Sequence, residues 1–245
     1  MEQRIGAGNK AIWEALVVLG VLLVGFAIGF WYSEQRNAAR YQVVTDELAK
    51  LEREENKAAL REYFDQMARL LLERDLLDSQ DGDEVQDLAR ARTLAAISAS
   101  DAEDNKSLTR FLTDMDLVKG SDPVRLLQRS YLPNVDLSGA FLPAADLYVS
   151  SLRGADLSGA FLVSANLGGS ILSDADLKGA DLMYANLDHT ELDGADLRDA
   201  DLTRASLEEA DLSGANLSGA TVTKEQLDTC KSLTNATMPD GSRHP

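Results

Sequence analysis

The pattern of hydrophobic positions changes twice along the chain. Residues 15–32 form one uncharged apolar run, and residues 33–118 carry apolar residues three or four positions apart. From residue 130 onwards, large apolar residues recur every five positions. A spacing of three to four predicts amphipathic helices, whereas five fits neither the 3.6 period of a helix nor the 2.0 period of a strand. The chain is therefore expected to combine an apolar segment and helices with a third kind of structure.

The third region is a five-residue repeat of 19 units, whose large apolar centres run from Leu132 to Val222 without an insertion. Every centre except Val222 is Leu, and the residue two positions earlier is Ala in 14 of the 19 units. Gly recurs two positions after the centre, where it permits a tight turn. One large and one small inward residue per unit predict a coil that turns a corner once per unit. Successive coils would stack ~4.8 Å apart through backbone hydrogen bonds.

The unit A-(D/N)-L-x-x resembles the repeat of the pentapeptide-repeat family, and the resemblance covers residues 130–222. It implies an all-β, right-handed quadrilateral β-helix with 20 residues in each coil. We expect this solenoid over residues 121–222, followed by a capping helix and a final rung over residues 223–245. Thr223 to Gln226 have the form of a capping box, and Ala236 to Met238 resume the repeat once.

The apolar run Ala15–Tyr32 contains 18 residues without a charge. As a helix it would extend ~27 Å, close to the thickness of the hydrocarbon layer of a bilayer. Trp13, Trp31 and Tyr32 stand at its ends, where aromatic rings favour the membrane interface. We interpret residues 15–32 as a single transmembrane helix in membrane lipid, with residues 1–14 as its flank. A cleaved signal peptide is the alternative, but no small-residue cleavage site follows the run.

Orientation and pairing of this anchor follow from its flanks and its glycines. Four basic residues follow the span by residue 53, against two that precede it, so the positive-inside rule places the solenoid on the cytoplasmic side. Gly25 and Gly29 have the GxxxG spacing that lets two membrane helices pack closely. A homodimer through the anchor or the following helix is therefore an expectation of the sequence.

The region between anchor and repeat is predicted to be helical. Residues 33–78 contain neither Pro nor Gly and predict an amphipathic stalk. A short coiled coil is an alternative, although the charged residues 52–55 interrupt a strict heptad. Residues 84–120 predict a hairpin of two helices, at about 84–99 and 105–118. Because the first coil of a solenoid has unpaired edges, we expect this hairpin to be its N-terminal lid.

Composition argues against several classes of function. The net charge of −17 disfavours direct binding of nucleic acid, which needs a basic surface to neutralise phosphate. Cys230 is the single cysteine, and His189 and His244 are the only histidines. The sequence shows no nucleophile–base pair, phosphate-binding loop or metal-ligand spacing. We therefore expect neither an enzyme nor a cofactor.

Residues 20 apart should stack on one face of the solenoid, which gives two candidate surfaces. The first is an anionic stripe, interpreted either as a solvated face or as a surface that attracts a basic partner or imitates phosphates. The second is an apolar patch, covered either by the helical hairpin or by another protein. The stripe comprises Asp136, Asp156, Asp176 and Asp196, continued by Asn216, and the patch comprises Phe141, Phe161, Val163, Met183 and Tyr184, with Tyr148 expected just around the corner.

Two functions agree with these features. The first is a non-enzymatic, membrane-tethered module that binds or scaffolds proteins whose identity the sequence does not reveal. The second follows from the resemblance, because some members of the family imitate DNA and bind DNA gyrase. The acidic repeat agrees with this in outline, whereas the predicted anchor and the absence of inserted loops disfavour it.

Overall fold

A computed structural model describes residues 57–71, 73–74, 76–120 and 124–245, which form a helical cap followed by a four-sided β-helix. The flank at 1–14, the span predicted at 15–32, its Gly25 and Gly29, and the first part of the stalk lie outside the described residues. Within the described ranges, no helix is both long and apolar enough to cross a membrane.

Parallel β-bridges join residues 20 apart along four lines as far as Thr221, so each coil has four faces of five residues; the two bridges beyond the C-terminal helix, Asp211 to Ser232 and Asn216 to Thr237, join residues 21 apart. We number the faces by the residue that begins each in the first coil: Tyr131, Asp136, Phe141 and Asp146. The first two lines end at Ser232 and Thr237, after the C-terminal helix. The first face carries Tyr131, Ser151, Ile171, Glu191 and Asp211; the second Asp136, Asp156, Asp176, Asp196 and Asn216; the third Phe141, Phe161, Asp181, Asp201 and Thr221; and the fourth Asp146, Asn166, Asn186 and Ser206.

The five-residue period forms the core. The Leu centres from Leu132 to Leu217 are at most 2% exposed. Each coil hydrogen-bonds to the next: Leu157 N–H donates to the Asp176 carbonyl at 2.7 Å, and Asp176 N–H donates to the Ala155 carbonyl at 2.9 Å. Because the inward residues fill a narrow interior completely, burial of their side chains supplies most of the stabilisation.

Three hydroxyl groups at the small inward position of the fourth face, those of Ser150, Ser170 and Thr190, have backbone partners. Ser150 Oγ donates to the Leu127 carbonyl at 3.0 Å, and Ser170 Oγ donates to the Leu147 carbonyl at 2.7 Å. Thr190 Oγ1 repeats this contact one coil later. These three buried hydroxyls are satisfied within the fold and serve as packing groups.

Three helices precede the solenoid: α1 over residues 57–71, α2 at Glu84–Ala99 and α3 at Ala102–Asp114, with a 3₁₀ turn at Leu76–Asp78. Residues 57–71 belong to the cap rather than to a free stalk. Tyr63 is 5% exposed, its hydroxyl lies 2.9 Å from Thr93 Oγ1 of α2, and the Phe64 ring packs edge-on against Phe111 of α3 at 4.9 Å. The apolar side of α1 therefore packs on the predicted hairpin.

Helix α3 begins and ends earlier than its apolar pattern predicts. Asp101 accepts a hydrogen bond from the Asp104 amide and so caps the first turn. At the other end, Asp116 adopts a φ of 54°, and Leu117 N–H donates to the Leu112 carbonyl at 2.9 Å. This Schellman arrangement stops the helix at Asp114.

The C-terminal segment follows the predicted order. Helix α4 at Lys224–Leu227 begins with a complete capping box between Thr223 and Gln226. The side-chain Nε2 of Gln226 also donates to the carbonyls of Leu202 and Ala205 at 2.7 and 2.8 Å. It thereby satisfies backbone acceptors at the end of the solenoid, where no further coil follows.

Candidate protein-contact surface

Helix α3 closes the open edge of the first coil on the second and third faces. Asn105, Thr109 and Thr113 lie four residues apart on α3 and are at most 4% exposed. Asn105 Nδ2 donates to the Asp136 carbonyl at 2.7 Å, and Thr113 Oγ1 donates to the Phe141 carbonyl at 3.0 Å. In return, Phe141 N–H donates to Thr109 Oγ1 at 3.2 Å. One polar row of a helix therefore replaces the missing coil.

The fourth face is closed by the segment after α3. Asp146 N–H donates to the Val118 carbonyl at 2.6 Å, and the buried Asp146 carboxylate accepts hydrogen bonds from Gln128 Nε2 at 2.9 Å and Asn166 Nδ2 at 3.1 Å. Arg125 lies 3.7 Å from the same carboxylate. This polar cluster ties the cap to the first two coils. The cap and the segment after it thus contact the first coil on the second, third and fourth faces.

The apolar side chains of the third face begin where the cap ends. The rings of Phe141 and Phe161 stack at a centroid distance of 5.3 Å with planes 7° apart. The Arg110 guanidinium of α3 lies 4.2 Å from the centre of the Phe141 ring, a cation–π contact. Phe161 remains 38% exposed. The cap therefore reaches Phe141 but leaves a substantial part of Phe161 uncovered.

The exposed surface continues into the third coil. Val163 and Met183 are half-buried, and the Tyr184 side chain is 48% exposed. Arg204 lies one coil further, with its guanidinium 5.5 Å from the Tyr184 ring and its Nη1 donating to the Tyr184 hydroxyl at 3.2 Å. We call this surface the third-face patch; it consists of Phe141, Phe161, Val163, Met183 and Tyr184.

Tyr148 does not belong to this patch. The 20-residue register places it on the fourth face, near the corner with the first face. It groups with Val149 and Tyr131, which are 47% and 74% exposed. The ladder of Asp146, Asn166 and Asn186 separates it from the third face. Tyr148 thus lies around the corner from the third face rather than on it.

The third face becomes acidic immediately beyond its apolar half. Asp181 and Asp201 continue the ladder that Phe141 and Phe161 begin. Their carboxylates accept backbone hydrogen bonds from Met183 at 3.2 Å and Thr203 at 2.9 Å. Among the ion pairs of the described residues, none involves Asp181 or Asp201. One face therefore presents two aromatic rings followed by two carboxylates.

The anionic stripe occupies the second face as one ladder, and a local hydrogen bond accounts for its composition. Each carboxylate accepts the amide N–H of the residue two positions later, as Asp156 does from Ser158 at 2.9 Å. Asn216 accepts the same bond from Ser218 at 3.1 Å. Asp or Asn at this position therefore forms an Asx turn in each coil. The charge of the stripe is also partly offset, because Arg198 forms an ion pair with Asp196, and its hydrogen bonds lower the pKa of that carboxyl.

The described residues contain no group of His, Cys, Asp and Glu side chains arranged to hold a metal ion. The described solenoid instead exposes aromatic rings, thioether and aliphatic groups, and a row of carboxylates at fixed spacing. Protein contact surfaces use these groups, with aromatic residues carrying much of the affinity.

Comparison with known protein families gives one match. The model for pentapeptide repeats, which spans eight copies of the unit, matches residues 130–167, 162–199 and 180–219. These segments coincide with the coils described above. The match agrees with the right-handed quadrilateral β-helix expected from the repeat. No curated protein matches the chain.

Several solved structures are similar to the solenoid. HetL, a pentapeptide repeat protein involved in heterocyst differentiation regulation in the cyanobacterium Nostoc sp. strain PCC 7120, is 35% identical over 48% of this chain and 68% of its own, with a TM-score of 0.33. A pentapeptide repeat protein of the Arabidopsis thaliana thylakoid lumen is 28% identical over 48% of this chain and 86% of its own, with a TM-score of 0.28. QnrB1, a plasmid-mediated fluoroquinolone resistance protein, is 20% identical over 43% of this chain and 61% of its own, with a TM-score of 0.23.

Proposed function

The chain belongs to the pentapeptide repeat family, and from that premise we propose that it is a non-enzymatic, membrane-tethered protein that binds another protein through the third face of its β-helix. The observation that supports this proposal is that the helical cap does not extend over the aromatic residues of the second and third coils. Helix α3 contacts Phe141 through Arg110 and leaves it half-buried, whereas Phe161 and Tyr184 stay 38% and 48% exposed. Large aromatic side chains held rigidly at a surface favour protein contact, because little conformational entropy is lost when a partner covers them.

Rigidity supports the same function. The coil that carries Phe161 is hydrogen-bonded on both sides, because Phe161 N–H donates to the Ala140 carbonyl of the preceding coil and Leu162 N–H donates to the Asp181 carbonyl of the next. The described repeat carries no inserted loop, so specificity must come from the side chains of its faces. The third face combines apolar groups with charged ones, which is the usual composition of a specific contact surface.

Tethering rests on the span predicted at residues 15–32, and we propose the cytoplasmic side for the solenoid. A topology test can use the single cysteine: Cys230→Ser with a cysteine appended after Pro245, treated in intact cells with a membrane-impermeant thiol reagent. Labelling only after lysis is the expected result. Labelling of intact cells would place the solenoid outside and overturn the assignment.

The binding function can be tested by protection of a thiol on the full-length chain. Val163→Cys and Arg153→Cys, each with Cys230→Ser, place one thiol on the third face or on the opposite first face, at the same position of the repeat in one coil. Extract of cells that naturally make the protein should slow labelling at residue 163 and leave labelling at residue 153 unchanged. Equal rates at both positions would contradict the proposal.

Imitation of DNA is the second candidate, and the carboxylate ladder of the second face is the feature that favours it. A partner that binds phosphates at regular spacing could bind Asp136, Asp156 and Asp176 in the same way. Supercoiling by DNA gyrase in the presence of the full-length chain tests this function. Inhibition at micromolar concentration that is lost when these residues are replaced by Asn would support it, and full supercoiling activity would exclude it.

A further inference from the structure

The side chains of the third face change from apolar to acidic along its length, a feature that the proposed function does not by itself require. Its ladder reads Phe141, Phe161, Asp181 and Asp201 from the cap outwards. The surrounding coils follow the same polarity. Residues 130–170 contain three acidic and one basic residue, a net of −2, whereas residues 171–222 contain twelve acidic and three basic residues, a net of −9. Apolar surface near the cap therefore meets acidic surface in the middle of this face.

Resting on the proposed function, we propose that the partner segment bound by the third face is an amphipathic helix lying along the solenoid axis. The stripe of this helix that faces the solenoid carries two apolar residues toward the cap and two Lys or Arg residues toward the C-terminal coils. The apolar pair packs on the stacked rings of Phe141 and Phe161 beside Val163, and the basic pair lies over Asp181 and Asp201. This arrangement is a helix-on-surface mode of recognition with charges that fix its direction.

The spacing of the ladder favours a helix over an extended segment. Four successive ladder positions span three coil steps, or ~14 Å. Helix residues at i, i+3, i+7 and i+10 lie on one stripe and span ~15 Å. Four alternate residues of an extended strand span ~20 Å, so an extended segment falls out of register after two contacts. A helix stripe can therefore meet every ladder position in turn.

The charge of Asp181 and Asp201 is available to such a partner. Each carboxylate has a backbone hydrogen bond that orients it, and neither forms an ion pair within the described part of the chain. Asn can replace Asp without loss of this bond, because Asn166 and Asn216 accept the equivalent bond at the same repeat position. Asp181→Asn with Asp201→Asn therefore removes two charges while preserving the turns, which separates recognition from folding.

The test uses two synthetic peptides of identical composition, both stapled on the face away from the solenoid so that each is helical. The ordered peptide carries Leu at i and i+3 and Lys at i+7 and i+10. The permuted peptide alternates Leu and Lys at the same four positions. Fluorescence anisotropy with the purified full-length chain should show tighter binding of the ordered peptide by about tenfold, since only it can bury both Leu side chains on the apolar half.

Three variants of the full-length chain complete the test. Asp181→Asn with Asp201→Asn should weaken binding of the ordered peptide about fivefold and reduce its salt dependence. Phe161→Ser should remove the preference for the ordered peptide. Glu191→Gln, which changes one charge at the same repeat position of the first face, should leave affinity unchanged.

The outcomes separate this inference from the proposed function. Equal affinity for both peptides, or binding unchanged by Phe161→Ser, would overturn the helix proposal. If thiol protection at residue 163 persisted in that case, the third face would still bind a protein, but not in this way. Concentration-dependent self-association that Phe161→Ser abolishes would assign the face to a second copy of the chain and would also overturn the helix proposal.

Discussion

Gly179 and Gly219 occupy the same corner of the β-helix two coils apart, yet their surroundings differ. Both adopt positive φ, at 64° and 74°. A Cβ at Gly179 would meet no atom within 4 Å, whereas a Cβ at Gly219 would lie 2.4 Å from Asp199 Oδ1 of the preceding coil. The chain already accepts Ala at such a corner, at Ala144 with a φ of 54°. The free-energy cost of a side chain at a corner position therefore depends on the neighbouring side chains as well as on the backbone conformation of that residue.

We predict that Gly179→Ala lowers the free energy of unfolding by about 1 kcal/mol, because Ala is strained in the left-handed region. Gly219→Ala should cost more, because the Asp199 side chain must also rotate away. Chemical denaturation of both variants measures the difference. In an Asp199→Ala background the two substitutions should cost the same. Equal costs in the wild-type background would show that the contact with Asp199 is unimportant.

Cys230 gives a second prediction for a single residue. Burial raises the pKa of its thiol to about 11. Because the thiolate is the reactive form, alkylation at pH 8 should be about two hundredfold slower than for an unperturbed cysteine with a pKa near 8.5. The rate of reaction with iodoacetamide should keep rising up to about pH 11. A rate that levels off near pH 8.5 would mean that the thiol is solvated.

Among the elements, α3 shows how a helix can replace a missing coil. Thr109 Oγ1 accepts the Phe141 N–H at 3.2 Å and donates to the Asn105 carbonyl at 2.7 Å. Thr109→Val preserves the shape but leaves a backbone donor without a partner. We predict a loss of about 1–3 kcal/mol in the free energy of unfolding. Ser107→Ala on the exposed side of the same helix should change it by less than about 0.5 kcal/mol.

If Thr109→Val and Ser107→Ala had equal effects in denaturant unfolding, the polar row would not be the feature that joins α3 to the first coil. Apolar packing of Leu108 and Leu112, both fully buried, would then account for the contact.

The β-helix could be predicted from the sequence to the level of faces, because its pattern is local and repeats without interruption. Leu132 to Leu217 are buried as the five-residue period requires, and the carboxylates of the second face stack at the expected interval of 20. The row of Asn105, Thr109 and Thr113 could not be predicted. Polar residues four apart on a helix normally face solvent. Only the position of α3 over unpaired backbone groups reverses that expectation.

The contrast between a local repeat pattern and contacts that depend on tertiary packing also explains which parts of the candidate site could be predicted. Phe161 and Tyr184 could be assigned to one surface from the 20-residue register alone. The extent of the cap could not be predicted from the sequence, because it depends on where α3 ends relative to the third face. Tyr148, expected just around the corner from the patch, lies on the fourth face, which follows the third face in each coil.

The whole molecule, as far as it is described, is a rod closed at its N-terminal end by helices and graded in surface character along its length. Apolar side chains are exposed mainly in the first two coils, and charge accumulates in the later ones. A closed N-terminal edge prevents strand-to-strand association there, so the sides of the rod remain for recognition. The third face is the side on which the aromatic and acidic regions follow one another in a single ladder.

The most direct test of this account is photo-crosslinking in the cells that make the protein, with benzoylphenylalanine in place of Phe161. The matched control carries it in place of Tyr131, an aromatic residue at the same repeat position on the first face that is 74% exposed, about twice as much as Phe161. Random collisions would therefore favour residue 131. We predict a discrete adduct with another protein at residue 161 and none at residue 131. An adduct only at residue 131, or at neither position, would contradict the account.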